Sequence, residues 1–295
     1  MFNLPGYPAT SVTIERPCLY LVATPIGNLG DITLRALHIL AQVDVVLAED
    51  TRTSIKLLDR YGISRPLESL HQHNEGARAL QIVERIKAGP SAIALVSDAG
   101  TPLVSDPGYP VVRTCQNAGI PVRYIPGASA VLGALVVSGL PCDRFAFEGF
   151  LPTRQAARCA RLNALKGEQR TLVYFEAPHR IRDTLADMRT VFGAPRAVCV
   201  VRELTKLHET AYRGNFDQVL SAMDADANAT RGEFVIVVGA DEQSRTNAET
   251  PTKLLSLLIT RLSRSDAVEV VSEATGYPRN LLYALALEMM NSGER

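Results

Sequence analysis

The sequence predicts an α/β protein built from two α/β domains, a parallel N-terminal sheet and a mixed C-terminal sheet, with a small helical C-terminal tail. Three observations predict it. Between residues 18 and 138, short β-rich runs alternate with amphipathic helical stretches, and strands separated by helices make a parallel, doubly wound sheet. After Gly139-Leu140-Pro141 the strand spacing becomes uneven, as in a mixed sheet. Beyond a polar stretch at 241–250 the chain is helical only. The expected divisions are residues 1–140, 141–241 and 250–295.

Taken in order, residues 18–24 (CLYLVAT) form a strand that ends in a Pro/Gly turn. Residues 33–42 form a helix with Leu34, Leu37, Ile39 and Leu40 on its apolar side. A strand at 44–48 leads to a helix at 51–61, with Gly62 as its C-terminal stop. An amphipathic helix at 75–88 ends at Gly89-Pro90. A strand at 91–96 is followed by a Gly- and Pro-rich loop at 97–109, in which Asp106 is a possible cap for a helix at 110–118. A strand at 122–125 and a helix at 128–138 complete the first half. The second half places strands at 145–148, 171–175, 197–201, 209–212 and 233–238, and helices at 153–166, 180–191 (closed by Gly193) and 216–222. The tail at 252–290 is helical, broken near Ser263 and at Gly276-Tyr277-Pro278.

Composition narrows the function. The 295 residues hold 31 Lys+Arg against 31 Asp+Glu, a formal net charge of zero. That argues against a clamp that holds nucleic acid by a global positive field, and leaves a local basic patch or recognition by shape. A hydrophobic content of 46% is that of a globular protein with a sizeable core. Cys18, Cys115, Cys142, Cys159 and Cys199 show no CxxC spacing, so reduced thiols are expected, not a disulfide framework or zinc site. His179 and His208 have no partners at metal-ligand spacing, so no metal is expected. Residues 1–13 carry no signal-peptide pattern, and the apolar runs at 130–137 and 234–240 are far shorter than the ~18 residues of a membrane span. The expectation is a soluble, cytoplasmic protein with no membrane partner.

Five segments place chemistry at strand ends, where ligands of open α/β sheets bind. Residues 22–33 (VATPIGNLGDIT) form a strand–turn–helix in which backbone N–H groups can approach a polar ligand. The dinucleotide form needs GxGxxG, and only Gly27 and Gly30 are present. Glu49 and Asp50, about twenty residues on, stand where a ribose-binding acid would, which keeps a nicotinamide-dependent oxidoreductase among the alternatives. Residues 96–108 (VSDAGTPLVSDPG) put Asp98 directly after a strand in a loop of turn formers. Asp98 either contacts a ligand or shapes the loop as an Asx-turn. Residues 125–130 (IPGASA) permit close approach of a ligand or a tight helix–sheet contact. In the second half, 174–182 (YFEAPHRIR) and 201–209 (VRELTKLHE) place charges toward a cleft between the domains. No GxSxG, Walker A or HExxH pattern occurs.

Together, VATPIGNLGDIT, AEDTRTSIKLL, LHQHNE, SDAGTPLVSDPG, PGASA, YFEAPHRI and RELTKLHE, in this order, resemble the tetrapyrrole methylase superfamily, and within it the small-subunit ribosomal RNA (cytidine-2′-O)-methyltransferase branch. The resemblance covers roughly residues 19–240, and the tail more loosely. It implies S-adenosylmethionine held between two α/β domains, a homodimer, and 2′-O-methylation of a cytidine ribose in 16S ribosomal RNA, with the small ribosomal subunit as partner. Carried over by position, the implied cofactor contacts are Pro25, Ile26 and Gly27, then Ser97, Asp98 and Ala99, then Ser129 and Ala130, then Glu176 and Leu204. Alanine stands at 99 where the family has proline, and the first loop is poorer in glycine than the superfamily's. A corrin or porphyrin methylase is the alternative within methyl transfer; a ribosome-binding factor without catalysis is another.

Methyl transfer to a ribose hydroxyl calls for positioning and for a base. By side-chain chemistry the candidates for the base are Asp50, His71, His73, Glu75 and Glu176; Lys206 is a candidate to lower the hydroxyl pKa instead. For RNA, Arg154, Arg158 and Arg161 recur at i, i+4, i+7, so one helical face is expected to carry all three. Arg52, Arg180 and Arg202 lie nearer the expected cleft. From Arg264 onward the tail holds three Arg against five acids, so a basic recognition helix is not expected there.

Overall fold

The computed structural model describes residues 13–241 and 249–292. The N-terminal segment expected to lack a signal peptide and most of the polar stretch 241–250 lie outside the described residues. The first sheet contains β1 (Cys18–Val22), β2 (Val45–Ala48), β3 (Leu67–Ser69), β4 (Ala92–Val96) and β5 (Val122–Ile125). Its order is β3-β2-β4-β1-β5 and every pairing is parallel. The intervening helices are α1 (Leu34–Leu40), α2 (Thr51–Arg60), α3 (Glu75–Lys87), α4 (Tyr109–Asn117) and α5 (Ala130–Ser138).

The period-2 alternation of the strands sorts their side chains between two cores. Cys18, Tyr20, Val46, Ala48, Ala92 and Ala94 face α1 and α2. Leu19, Val45, Leu47, Ile93 and Leu95 face α3 and α4. Local chemistry starts and stops the helices: Thr33, Asp50 and Ser129 each accept a hydrogen bond from a first-turn backbone N–H, and α2 stops at Gly62, φ 63°. Asp106 does not cap α4. The N-cap is Gly108, φ 125°, and Pro110 lies in the first turn.

The chain leaves β2 toward β3 on one side and leaves β4 toward β5 on the other. The crevice beyond the carboxyl ends of β2 and β4 is therefore the topological switch point, the default ligand site of an open parallel sheet.

The second sheet is mixed. Strands β6 (Phe145–Phe150), β7 (Thr171–Glu176), β8 (Ala197–Arg202), β9 (Thr210–Asn215) and β10 (Phe234–Val238) lie in the order β6-β7-β10-β8-β9. Only β6–β7 is parallel. Helices α6 (Gln155–Ala164), α7 (Ile181–Phe192) and α8 (Phe216–Asp224) cover one face. Asn215 and Gln218 form a capping box at the start of α8. The other face packs on α5, whose Val131, Ala134 and Leu135 meet Val173, Cys199, Val201 and Val235. The last helix of the first half thus serves as the joint between the two sheets. The tail comprises α9 (Glu249–Ile259), α10 (Arg264–Thr275) and α11 (Arg279–Ser292), around a small core of Leu255, Val268, Val271 and Leu282.

Candidate active site

Two turns of the first domain are tied to each other. The Thr24 N–H donates to Gly100 O at 2.9 Å, the Gly100 N–H returns a bond to Thr24 O at 3.0 Å, and the Thr24 hydroxyl donates to Ser97 O at 3.2 Å. The loop after β1 and the loop after β4 therefore form one rigid rim. The second loop contains Leu103 and Ser105 in the left-handed region, φ 73° and 66°. Such conformations persist where the surroundings hold them and gather at ligand sites. Val104 between them lines the cavity described next.

That cavity, of about 330 Å³, lies between the domains. Ile26, Asp98, Ala99, Asp106, Ser129 and Ala130 line it from one side, and Phe150, Phe175, Glu176, Val201, Leu204 and Phe234 from the other. A second hollow of about 380 Å³ adds Pro25, Gly27, Thr53, Lys56, Ser97 and Lys206, and shares Ile26, Asp98, Ala99 and Glu233 with the first. Each of the ten positions named for a cofactor lines one hollow or the other. Gly27 has φ 146°, and a β-carbon there would stand 2.5 Å from the Lys206 side chain. Gly133 likewise makes room for Leu204. The 203–206 segment of the second domain is thus seated on glycines of the first.

Carboxylates converge at the switch point. Asp98 Oδ1 accepts the Asp50 N–H at 2.9 Å, which links the ends of β2 and β4. Burial, with the charge of Asp98 adding and a Ser97 hydrogen bond opposing, pushes the Asp106 carboxyl up to about 6. Burial and the neighbouring Asp106 and Asp98 raise Glu49 as well. Asp50 goes the other way: hydrogen bonds from the Arg52 side chain and backbone hold its carboxyl down at about 2. An acid so weakly basic is poorly matched to proton abstraction at neutral pH. Glu176 is 3% exposed; it accepts from Thr184 Oγ1 at 2.6 Å and from the Ala177 N–H at 2.8 Å, with Arg180 Nε at 3.4 Å. His73 is exposed, its ring 5.9 Å from that of His71, and it lines neither hollow.

The cations separate into free and committed groups. Arg52 is 86% exposed and reaches back to Asp50. Arg154 is exposed and in no ion pair among the described residues. Arg158 does not share its face: the side chain is 5% exposed and bonds Asp187 Oδ2 at 2.7 Å. The helical spacing placed it outward, but α6 turns that side toward α7. Arg161 pairs with Glu148 at 2.5 Å. Arg180 donates to the carbonyls of Leu151 and Pro152. Arg202 is buried beneath the loop 225–232, and Lys206 pairs with Glu203 at 2.8 Å and Glu233 at 3.0 Å. Sequence reasoning missed Asp106 as a cleft residue, although it stands in the quoted motif beside Asp98. It also missed Phe150, Phe175, Phe234 and Glu233, which carry no local signal because they line the cleft only once the two sheets meet.

The sequence pattern of the tetrapyrrole (corrin/porphyrin) methylases matches residues 18–220, and the chain belongs to that family. Within the family it falls with ribosomal RNA small subunit methyltransferase I. The relative of that name from Pasteurella multocida is 48% identical over 275 residues, 92% of this chain and 98% of the relative. The one from Xylella fastidiosa (strain Temecula1) is 49% identical over 266 residues, 90% and 97% of the two chains. The RsmI C-terminal HTH domain pattern matches residues 246–290. Two solved structures share the fold: uroporphyrin-III-C-methyltransferase from Thermus thermophilus (TM-score 0.53, 21% identity, 76% of this chain and 94% of that one) and a diphthine synthase (TM-score 0.58, 17% identity, 76% and 90%).

The protein is accordingly a methyltransferase with S-adenosylmethionine as its cofactor. The cleft fits that group. Its volume is in the range of small-molecule sites, about 300–1,000 Å³. Its apolar walls, Ile26, Val131, Leu204 and Phe234, suit a flat base, and Asp98 offers negative charge to a sulfonium.

Proposed function

We propose that the protein transfers a methyl group to the 2′-hydroxyl of a cytidine ribose in 16S ribosomal RNA of the small subunit. The observation that carries this reading is 44–49% identity, over nine-tenths of the chain, to relatives named ribosomal RNA small subunit methyltransferase I. S-adenosylmethionine, when bound, supplies a methyl group already activated by its positive sulfur. The residues then have four tasks. The tied loops at 24–27 and 97–101, with Ser129, Ala130 and Leu204, hold the cofactor. Asp98 favours the cationic donor over the neutral product. Phe150, Phe175 and Phe234 keep water from the cleft. Glu176, fixed by Thr184 and Ala177, keeps the floor in place.

The proton of the acceptor hydroxyl needs a base. Asp106 is the better-matched candidate: it lines the cavity, as Asp50 and His73 do not, and burial pushes its carboxyl up to about 6, whereas Glu176 is already held by Thr184, the Ala177 N–H and Arg180. Positioning provides much of the rate, and a base of this kind adds roughly 10²-fold or more. Arg154, exposed and in no ion pair among the described residues, is a cation free to meet RNA, and Arg52, though paired with Asp50, is 86% exposed at the rim of the cleft. We take the enzyme to act in the cytoplasm, where its substrate is assembled, and as a homodimer; α5 leaves Leu132 and Val136, one turn apart, exposed beside the joint between the domains. Among the described residues, no helix is long and apolar enough to cross a membrane. The test is incubation with methyl-labelled S-adenosylmethionine and small subunits from cells lacking the enzyme. Label is expected in the 16S RNA; its absence from every RNA form, free or assembled, would end this reading.

A further inference from the structure

We infer that a pocket beside the cleft is a phosphate-binding subsite, which holds the RNA backbone next to the methylated nucleotide. This rests on the RNA-methylating reading above. The pocket, of about 260 Å³, is lined by Arg202, Glu203, His208, Asn228, Arg231 and Gly232. None of its features was needed to explain the methyl-transfer cleft.

Arg202 is the central observation. Its side chain is 8% exposed. Nη1 donates to the Asn228 carbonyl at 3.2 Å, Nη2 makes a long bond of 3.4 Å to Thr210 Oγ1, and Nε is buried without a hydrogen-bond acceptor. The buried Nε is itself shut off from the pocket, but the two Nη groups spend one bond each, at 3.2 and 3.4 Å, and the guanidinium keeps donors to spare for an anion. The neighbouring carboxylates do not take these up. Asp226 stands 4.0 Å from Nη2 and is engaged by the Tyr212 hydroxyl and the Asn228 N–H. Glu203 is held by Lys206 Nζ at 2.8 Å and by the Glu233 N–H at 2.9 Å. Arg231, by contrast, is exposed, in no ion pair among the described residues, and restrained only by a 3.4 Å bond to Asn228 Oδ1. Two guanidinium groups and the exposed His208 imidazole therefore face one small hollow whose acid is already neutralised. Forked guanidinium donors match phosphate oxygens.

The position fits a polynucleotide. Val201 lines the methyl-transfer cleft and Arg202, the next residue of β8, lines this pocket. Glu233 lines the cleft and Gly232 the pocket. Successive strand residues face opposite sides, so the two hollows sit on the two faces of one sheet end. A strand that offers a ribose to the cleft and bends over this end brings a flanking phosphate to Arg202 and Arg231. A chain with no net charge needs such local contacts.

The test compares wild type with Arg231→Ala, Arg231→Lys and Lys87→Glu, the last at the opposite end of the first sheet. Binding to small subunits is measured across a salt series, together with methylation kinetics and S-adenosylmethionine affinity. Arg231→Ala is expected to weaken subunit binding about tenfold and to reduce the log–log salt slope by about one. It should raise KM for the subunit and spare kcat and cofactor affinity. Arg231→Lys should restore part of the binding, and Lys87→Glu should change nothing. Wild-type methylation of RNA with an unaltered salt slope and affinity in Arg231→Ala would overturn the subsite alone. A wild-type protein that methylates no RNA would overturn the functional reading and the subsite with it.

Discussion

Asp98 and Asp106 are eight positions apart in one loop and differ in what they can do. Asp98 is exposed and tied to the Asp50 backbone; Asp106 is half-buried and protonates near pH 6. The groups that set the Asp106 titration are Asp98, which raises it, and Ser97, which lowers it, on top of burial; Glu49 faces both acids and shares their charge. The sign for stability follows. A carboxyl raised in the fold keeps its proton where the unfolded chain has lost it, so its contribution falls as pH rises from the ordinary carboxylate range to about 6, and is constant above. Asp106→Asn should therefore raise Tm more at pH 8 than at pH 4. The same substitution should remove the rise in methylation rate through about pH 6 that a base of this pKa gives wild type. An unchanged pH–rate profile in Asp106→Asn would remove it from proton transfer. In calorimetry, Asp98→Ala should weaken S-adenosylmethionine binding at least about tenfold, since a fixed anion beside a sulfonium is lost; equal affinity would place Asp98 in a purely structural turn.

At the scale of elements, α6 shows where sequence patterns stop. Its spacing of Arg154, Arg158 and Arg161 is visible in the chain, but the partner that draws Arg158 inward, Asp187 on α7, is not near it in sequence. Only packing of α6 on α7 decides which side is buried. Removing one partner of a buried ion pair costs about 3–5 kcal/mol. Arg158→Ala is thus expected to lower the denaturation midpoint markedly, whereas Arg154→Ala should leave it unchanged and weaken RNA binding. Equal stability of the two variants would contradict the buried assignment. The strands were legible where they were long and apolar, as in β1, β4 and β10. Strand β3 was not, because three half-buried residues after Pro66 offer no alternation to read. The extension of β9 to Asn215 was hidden for a related reason: its later residues are polar and pair only along the edge of the sheet.

For the whole molecule, the first domain's share of the cleft was legible, because turns rich in Gly, Pro and Ser follow its strands and the switch point collects them. The second domain's share was legible at Glu176, Leu204 and Lys206; Phe150, Phe175 and Phe234 read as ordinary strand residues until α5 joins the sheets. The zero net charge of the chain bears on how it would hold RNA. Affinity is assigned to a few local arginines and to the shape of the presented strand, and the small subunit should accordingly be a better substrate than free RNA. The most direct measurement is the nucleoside composition of 16S RNA after small subunits lacking the modification are incubated with the protein and S-adenosylmethionine. The account predicts 2′-O-methylcytidine as the product. A methyl group on a nucleobase, or transfer only to a tetrapyrrole, would contradict it.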